Sequence, residues 1–144
     1  MSEIALETVY AHPPERVWRA LTDPQELGVW LMPNDFAPTV GHKFQFNIGP
    51  QLGWRGIVDC EVLEVDAPRR LAYSWQGDPK QRGTTVIWTL TPTPDGGTRL
   101  KLEHTGFRGL SGALLKRMLG GGWKKKLRTL LADLLDGKPI PQRQ

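Results

Sequence analysis

Trp123-Lys124-Lys125-Lys126-Leu127-Arg128-Thr129-Leu130-Leu131-Ala132-Asp133-Leu134-Leu135 closes a chain that otherwise alternates with a period of two. On a wheel of about 100° per residue, Trp123, Leu127, Leu130, Leu131 and Leu134 make one apolar arc, with Leu135 at its edge. Lys124, Lys125, Lys126, Arg128 and Asp133 lie outside the arc, so the spacing predicts an amphipathic helix. Gly137 follows as a stop, and Pro139 cannot continue the helix. The segment just upstream, Leu114-Leu115-Lys116-Arg117-Met118-Leu119, does not fit the same helix. Carried through Gly120-Gly121-Gly122, its apolar residues centre about 150° from the later arc, and both sets cannot pack on one sheet. Each glycine costs about 1 kcal/mol relative to alanine in a helix interior. The expected resolution is a break near Gly120, with Ser111 to Leu119 forming a separate helical turn.

Ahead of this region, up to Phe107, the pattern is that of strands. Phe44, Phe46 and Ile48 alternate with Lys43, Gln45 and Asn47, as in a half-buried strand. A long strand is expected from Trp54 to about Val65. Trp54, Val58, Cys60 and Val62 share one of its faces while Leu63 and Val65 take the other, which predicts a bulge or bend near Leu63. Leu71-Ala72-Tyr73-Ser74-Trp75 sets three large residues on one face. Val86, Trp88 and Leu90 form the next inward set, and Leu100, Leu102 and His104 the last. Between these two, Pro92 to Gly97 reads as a tight connection in which Asp-Gly and Gly-Gly supply positive φ.

The first residues give another strand, with Ile4, Leu6, Thr8 and Tyr10 on one face. His12-Pro13-Pro14-Glu15 then starts a short helix carrying Val17, Trp18 and Leu21. Asp23-Pro24-Gln25-Glu26 starts a second, with Asp23 as cap, Pro24 at the first helical position and Glu26 placed to close a capping box. The order is one strand, two short helices, about five strands and a long helix. That is an α+β arrangement and not a doubly wound one.

At 144 residues the chain suits one domain spanning 1–144. The lone Cys60 excludes an internal disulfide framework and a cysteine-based zinc site. No apolar run approaches the ~20 residues of a bilayer crossing. The start, Met1-Ser2-Glu3-Ile4, lacks the regions of a signal peptide, so a cytoplasmic protein is expected. Six tryptophans and a net charge of +4 stand out.

The order of elements resembles the helix-grip fold of the START/SRPBCC superfamily, in which a curved antiparallel sheet wraps around a long C-terminal helix. Within that superfamily the chain is similar to the group named for the activator of heat-shock protein 90 ATPase homologues. The resemblance rests on Pro14-Glu15-Arg16-Val17-Trp18-Arg19-Ala20-Leu21-Thr22-Asp23-Pro24 with Trp30, and on Leu71-Ala72-Tyr73-Ser74-Trp75. It is completed by Gly97-Thr98-Arg99-Leu100-Lys101-Leu102-Glu103-His104-Thr105-Gly106-Phe107 and by Gly122-Trp123 with Leu127. It covers nearly the whole chain in order and is specific for fold. The superfamily includes lipid and hormone binders, polyketide cyclases, antibiotic-sequestering proteins and co-chaperone domains, and one fold hosting several jobs is the usual case.

A helix across a concave sheet leaves a cavity suited to a small molecule. The expected lining is Phe44, Phe46, Trp54, Val58, Tyr73, Trp75, Trp88, His104, Trp123 and Leu127, each also readable as plain core. His104 or Tyr73 would be the polar anchor, and His104 also reads as a rim histidine bonded to backbone. Ser111 to Leu119 would cover the cavity mouth. Arg55, in Gly53-Trp54-Arg55-Gly56, reads as an outer-face cation, and Asp59 and Glu61 as solvated. The cations from Lys116 to Arg128 read as a solvated helix face. Three scattered histidines give no metal motif. No nucleophile elbow or phosphate loop appears, so neither a catalytic residue nor a cofactor is expected. The function expected is binding of a small apolar or aromatic molecule. The alternatives are a co-chaperone-like interaction module with a protein partner and a polyketide cyclase-like enzyme. Nucleic acid and membrane are not expected as partners.

Overall fold

Alternation along the strands builds one six-stranded antiparallel sheet in the order β1-β6-β5-β4-β3-β2. The computed structural model describes residues 2–80 and 83–138, so the expected terminator Pro139 lies outside the described residues. The strands are β1 Ser2–Tyr10, β2 Lys43–Asn47, β3 Ile57–Asp66, β4 Arg70–Trp75, β5 Thr84–Pro92 and β6 Thr98–Phe107. Inward positions recur at every second residue. Phe44, Phe46, Val58, Cys60, Val62, Leu71, Tyr73, Trp75, Val86, Trp88, Leu90, Leu100, Leu102 and His104 are all buried. The curved sheet carries two short helices after β1 and a long helix at its C-terminal end, which is the helix-grip arrangement.

The parity change in β3 is a real irregularity. Val62 pairs with Tyr73 and Glu64 with Ala72, and the register shifts between them, leaving Leu63 exposed. The strand starts later than its alternation suggests, at Ile57 and not Trp54. Trp54 instead pairs with Gln51 in a separate bridge. Gly56 makes the break, with φ +78° and a position where a Cβ would stand 1.7 Å from the Gly49 carbonyl oxygen. Only glycine fits so close an approach at that φ. In the β5–β6 turn, Gly96 has positive φ but Gly97 does not. Gly97 is needed for space: a Cβ there would meet the Tyr10 carbonyl oxygen at 2.5 Å.

α1 (Pro14–Thr22) and α2 (Pro24–Trp30) fall where their start signals put them. Asp23 caps α2 by accepting the Gln25 N–H at 2.9 Å. Glu26 does not close a capping box. Its carboxylate takes Arg16 at 2.7 Å and Arg19 at 2.9 Å, tying α2 to α1. The buried Trp30 indole adds a second tie by donating to the Ala20 carbonyl at 2.8 Å.

The expected break near Gly120 is absent. α3 runs without interruption from Gly109 to Lys125, through all three glycines. A single π-helical turn, Lys126–Leu130, follows, and α4 (Leu131–Leu135) ends the helix before Gly137, whose φ is +74°. Two devices replace the break. The first half of α3 is not asked to pack flat on the sheet, because Leu115 and Leu119 face open space beneath the helix. The π turn then resets the phase. A regular helix would drift by about 120° between Trp123 and Leu135, whereas one extra residue in the ladder takes back about 100°. Trp123, Leu127, Leu131 and Leu135 are all buried as a result. At this turn the Leu131 N–H reaches the Lys126 carbonyl instead of that of Leu127. The bypassed Leu127 carbonyl accepts the Tyr10 hydroxyl at 2.6 Å, so β1 completes the helix.

Candidate functional site

Two kinds of interior lie beneath the long helix. Under its C-terminal half the space is filled. Trp88 packs edge-on against Trp30 and Trp123, with ring centres 6.1 and 5.5 Å apart, and its indole N–H donates to the Tyr73 hydroxyl at 3.0 Å. Burial pushes the Tyr73 phenol well above its ordinary range, so it remains a neutral hydrogen-bonding group.

His104 belongs to this filled half. Its Nδ1 accepts the Trp123 indole N–H at 3.0 Å, and its Nε2 lies 2.7 Å from the Thr84 hydroxyl. Indole can only donate, so Nδ1 carries no proton and the neutral ring must hold its proton on Nε2. That proton is given to Thr84 Oγ1, whose own O–H donates to the Trp75 carbonyl at 3.1 Å. The chain from Trp123 to Trp75 thus leaves no donor or acceptor of the imidazole over. Burial lowers the His104 pKa to about 3. The ring pins the helix to β4, β5 and β6, and it packs edge-to-face with Trp75 and tilted against Phe107, with ring centres 5.5 and 4.7 Å apart.

Under the N-terminal half the space is open. A cavity of about 620 Å³ lies between α3 and the ends of β2, β3 and β4. Trp54, Val58 and Trp75 form its sheet wall, and Leu31, Met32 and Ile48 close one side. Leu115, Met118 and Leu119 of α3 form the roof, with Leu130 beyond them. The Trp54 ring is fixed by its N–H, which donates to the Gly77 carbonyl at 2.9 Å. Among the described residues the charged side chains at the wall are Asp78, Lys125 and Lys126. A smaller space of about 80 Å³ adjoins it between Gly122, Trp123, Trp75 and Leu119. Gly122 borders this smaller space without a side chain, and a Cβ built on it would meet nothing within 4 Å.

Of the ten residues expected at the wall, Trp54, Val58 and Trp75 stand on the cavity and Trp123 on the adjoining space. Phe44, Phe46, Tyr73, Trp88 and Leu127 lie in the packed core, and His104 is buried beside them. Leu31 and Met32, which close one side of the cavity, are not among the ten expected residues. Lys126 was taken for a solvated cation. Yet Leu115, Leu119, Gly122 and Lys126 fall within about 60° of one another at helical pitch, a stripe that becomes visible once the helix is continuous, and Leu130 reaches the same cavity across the π turn.

The other sequence candidates are engaged elsewhere. Arg55 is an outer-face cation, pairing with Asp59 at 2.7 Å and holding that carboxyl below its ordinary range. His12 meets Asp136 at 2.8 Å, and His42 meets the Asp35 carbonyl at 2.9 Å. Burial pushes the Cys60 thiol up, away from the reactive thiolate. Among the described residues no group of three or more His, Cys, Asp or Glu side chains gathers to hold a metal. Among them, too, no helix is long and apolar enough to cross a membrane.

Comparisons with known proteins agree with this geometry. The crystal structure of protein MLL2253 from Mesorhizobium loti is 38% identical, with a TM-score of 0.83 over 96% of this chain and 100% of that one. CalU16 from Micromonospora echinospora is 26% identical, with a TM-score of 0.78 over 96% of this chain and 77% of that one. The Aha1 dimer from Colwellia psychrerythraea shares the fold, at 20% identity and a TM-score of 0.78 over 96% of this chain and 100% of that one. No curated protein matches the sequence. The family model for activator of Hsp90 ATPase homolog 1-like proteins matches residues 11–136, from the turn before α1 to the last residue before Gly137, and the chain belongs to that family.

Proposed function

We propose that this protein, read as a single domain, binds a small apolar or aromatic molecule in the cavity under the first half of α3. The observation that carries the reading is the contrast in filling beneath one helix. The His104–Trp123 half is packed with its polar atoms paired, whereas about 620 Å³ stands open between aromatic and aliphatic walls. Binding pockets typically occupy about 300–1,000 Å³ with mainly apolar linings and a few polar groups, which describes this wall. A cyclase-like reading finds less support. Its natural acid–base group, His104, is removed from the cavity and has both ring nitrogens engaged.

Gly122→Leu tests the binding reading. Leucine is a better helix former than glycine, and a leucine side chain here is expected to fill the smaller space beside Trp123 and crowd the cavity that adjoins it. N-phenyl-1-naphthylamine, an uncharged aromatic probe, is expected to bind the wild type at one site and to bind Gly122→Leu at least about tenfold more weakly, a difference of ~1.4 kcal/mol. Equal binding to both proteins would place the probe elsewhere and defeat the reading.

A protein-interaction role has its own observation. Leu110, Leu114 and Met118 form an exposed i, i+4, i+8 stripe along α3. A binding partner on that stripe would be lost in Leu114→Glu with the cavity unaffected, since Leu114 is not on its wall.

A further inference from the structure

We infer that the Trp75 indole N–H is the donor that holds the ligand of this cavity, and that the ligand is an apolar or aromatic molecule carrying a carbonyl oxygen to accept it. The inference rests on the cavity reading above and adds to it the anchoring group and the chemical class of the occupant.

The pairing of the tryptophans carries it. A buried indole N–H normally finds an acceptor, because a donor that leaves water unpaired loses its hydrogen bond without return. Four of the six tryptophans have one. Trp30 donates to the Ala20 carbonyl, Trp54 to the Gly77 carbonyl, Trp88 to the Tyr73 hydroxyl and Trp123 to His104 Nδ1. Trp18 is half-buried on α1, so its ring is not closed off from solvent. Trp75 is the exception. It is only 5% exposed, its ring packs on Phe46, His104 and Trp123, and its carbonyl accepts the Thr84 hydroxyl. Among the described residues nothing accepts its N–H. The nitrogen is not walled in either. Among those residues the enclosed side-chain polar atom without a partner is Arg55 Nε, so Trp75 Nε1 keeps accessible surface. A ring so deeply buried keeps that surface where it borders open space, and Trp75 borders both the main cavity and the smaller space beside Trp123.

The chemistry of the donor selects the occupant. An indole N–H only donates, so the ligand must bring a lone pair. The Trp123 N–H goes to His104 and the His104 N–H to Thr84, so neither neighbouring ring offers a second donor. A carboxylate placed here would leave water for one neutral hydrogen bond, at a larger cost than that bond returns. A hydroxyl would add an O–H that itself needs an acceptor. A carbonyl oxygen accepts the N–H with the smaller desolvation cost and brings no donor of its own. The rest of the molecule then lies against Trp54, Val58 and Leu115.

Two probes of one shape separate this inference from the cavity reading. 2-Acetylnaphthalene and 2-ethylnaphthalene differ in the carbonyl, and the affinity of each is read by displacement of N-phenyl-1-naphthylamine. Comparing the pair within each protein cancels any change in ring area. Trp75→Phe is expected to lower the preference for the acetyl over the ethyl compound about fivefold, the worth of one neutral hydrogen bond. Trp54→Phe, which removes an N–H already given to Gly77, is expected to leave that preference within about twofold of wild type. An unchanged preference in Trp75→Phe, with both probes bound, would overturn the donor inference and leave the cavity reading standing. Equal falls in the two variants would overturn it too. The wild type gives a check that needs no substitution. Its Trp75 indole proton should move further downfield with 2-acetylnaphthalene than with 2-ethylnaphthalene, and equal movement would overturn the inference. Failure of the wild type to bind either probe would overturn both readings.

Discussion

The two halves of the long helix face the same sheet and end with opposite interiors. From Trp123 onward, one large side chain per turn faces inward, and the indoles, the imidazole and the Tyr73 phenol use one another's polar atoms. Before Trp123, Gly122 presents no side chain to the small space beside Trp123, and the aliphatic residues ahead of it overhang a cavity. Helix continuity is common to both halves, so the difference lies in side-chain volume and not in backbone. A tight core needs a bulky residue at every turn, and Gly122 withholds one beside the small space that adjoins the cavity.

Breaking the filled half gives the largest expected effect. Trp123→Ala removes a buried indole and the donor to His104 Nδ1, and should cost about 3–5 kcal/mol in urea unfolding. A large-to-small change of similar size on the cavity side, Leu115→Ala, should cost clearly less, because Leu115 is only half-buried. Equal losses would erase the distinction between the halves.

Acid should attack the same filled half next. The folded His104 has its pKa lowered to about 3, whereas an unfolded histidine titrates near 6.5. Below pH 6.5 the unfolded chain takes up a proton that the folded imidazole refuses, so the contribution is complete above 6.5 and falls away toward pH 3. At about 1.4 kcal/mol per pH unit, the loss at pH 5 is ~2 kcal/mol. His104→Gln should be less stable at pH 7 and should show a flatter profile between pH 7 and 5. Parallel profiles for wild type and variant would contradict a neutral, enclosed imidazole.

The joint between the halves gives a smaller effect. Tyr10→Phe leaves the Leu127 carbonyl without the hydroxyl that it holds at 2.6 Å, and should cost about 1–2 kcal/mol. The smallest change has the opposite sign. Gly122→Leu should raise stability by about 0.5–1 kcal/mol through helix propensity while the small space beside Trp123 fills. Stability gained as binding is lost is the pattern expected of a residue kept for space.

Much of this was visible in the residues themselves. The alternation of Phe44-Gln45-Phe46 and Val86-Ile87-Trp88 sets the sheet faces, and the parity change at Leu63 marks the β3 irregularity. The leucine arc marks the C-terminal helix. The site was less legible. A wheel of constant pitch makes the two apolar sets of the helix conflict, and a break near Gly120 follows from it. The molecule reconciles them with a π turn and with an empty space, neither of which leaves a periodic trace. His104 alternates with Leu100 and Leu102 whether it faces a ligand or a partner. Its partners, Thr84 and Trp123, are twenty and nineteen residues away, and only the folded arrangement shows that both ring nitrogens are taken. Lys126 sits in a run of three lysines, and nothing in that run distinguishes this half-buried member from the exposed Lys124 and Lys125.

The tryptophans divide between the two halves and so can report on them separately. Their indole N–H resonances, followed while N-phenyl-1-naphthylamine is added, test the open half most directly. The account predicts saturable shifts at Trp54 and Trp75, which stand on the cavity wall, and little change at Trp30 and Trp88, which are sealed in the core. Shifts confined to Trp30 and Trp88, or saturable binding that leaves Trp54 and Trp75 unmoved, would contradict it.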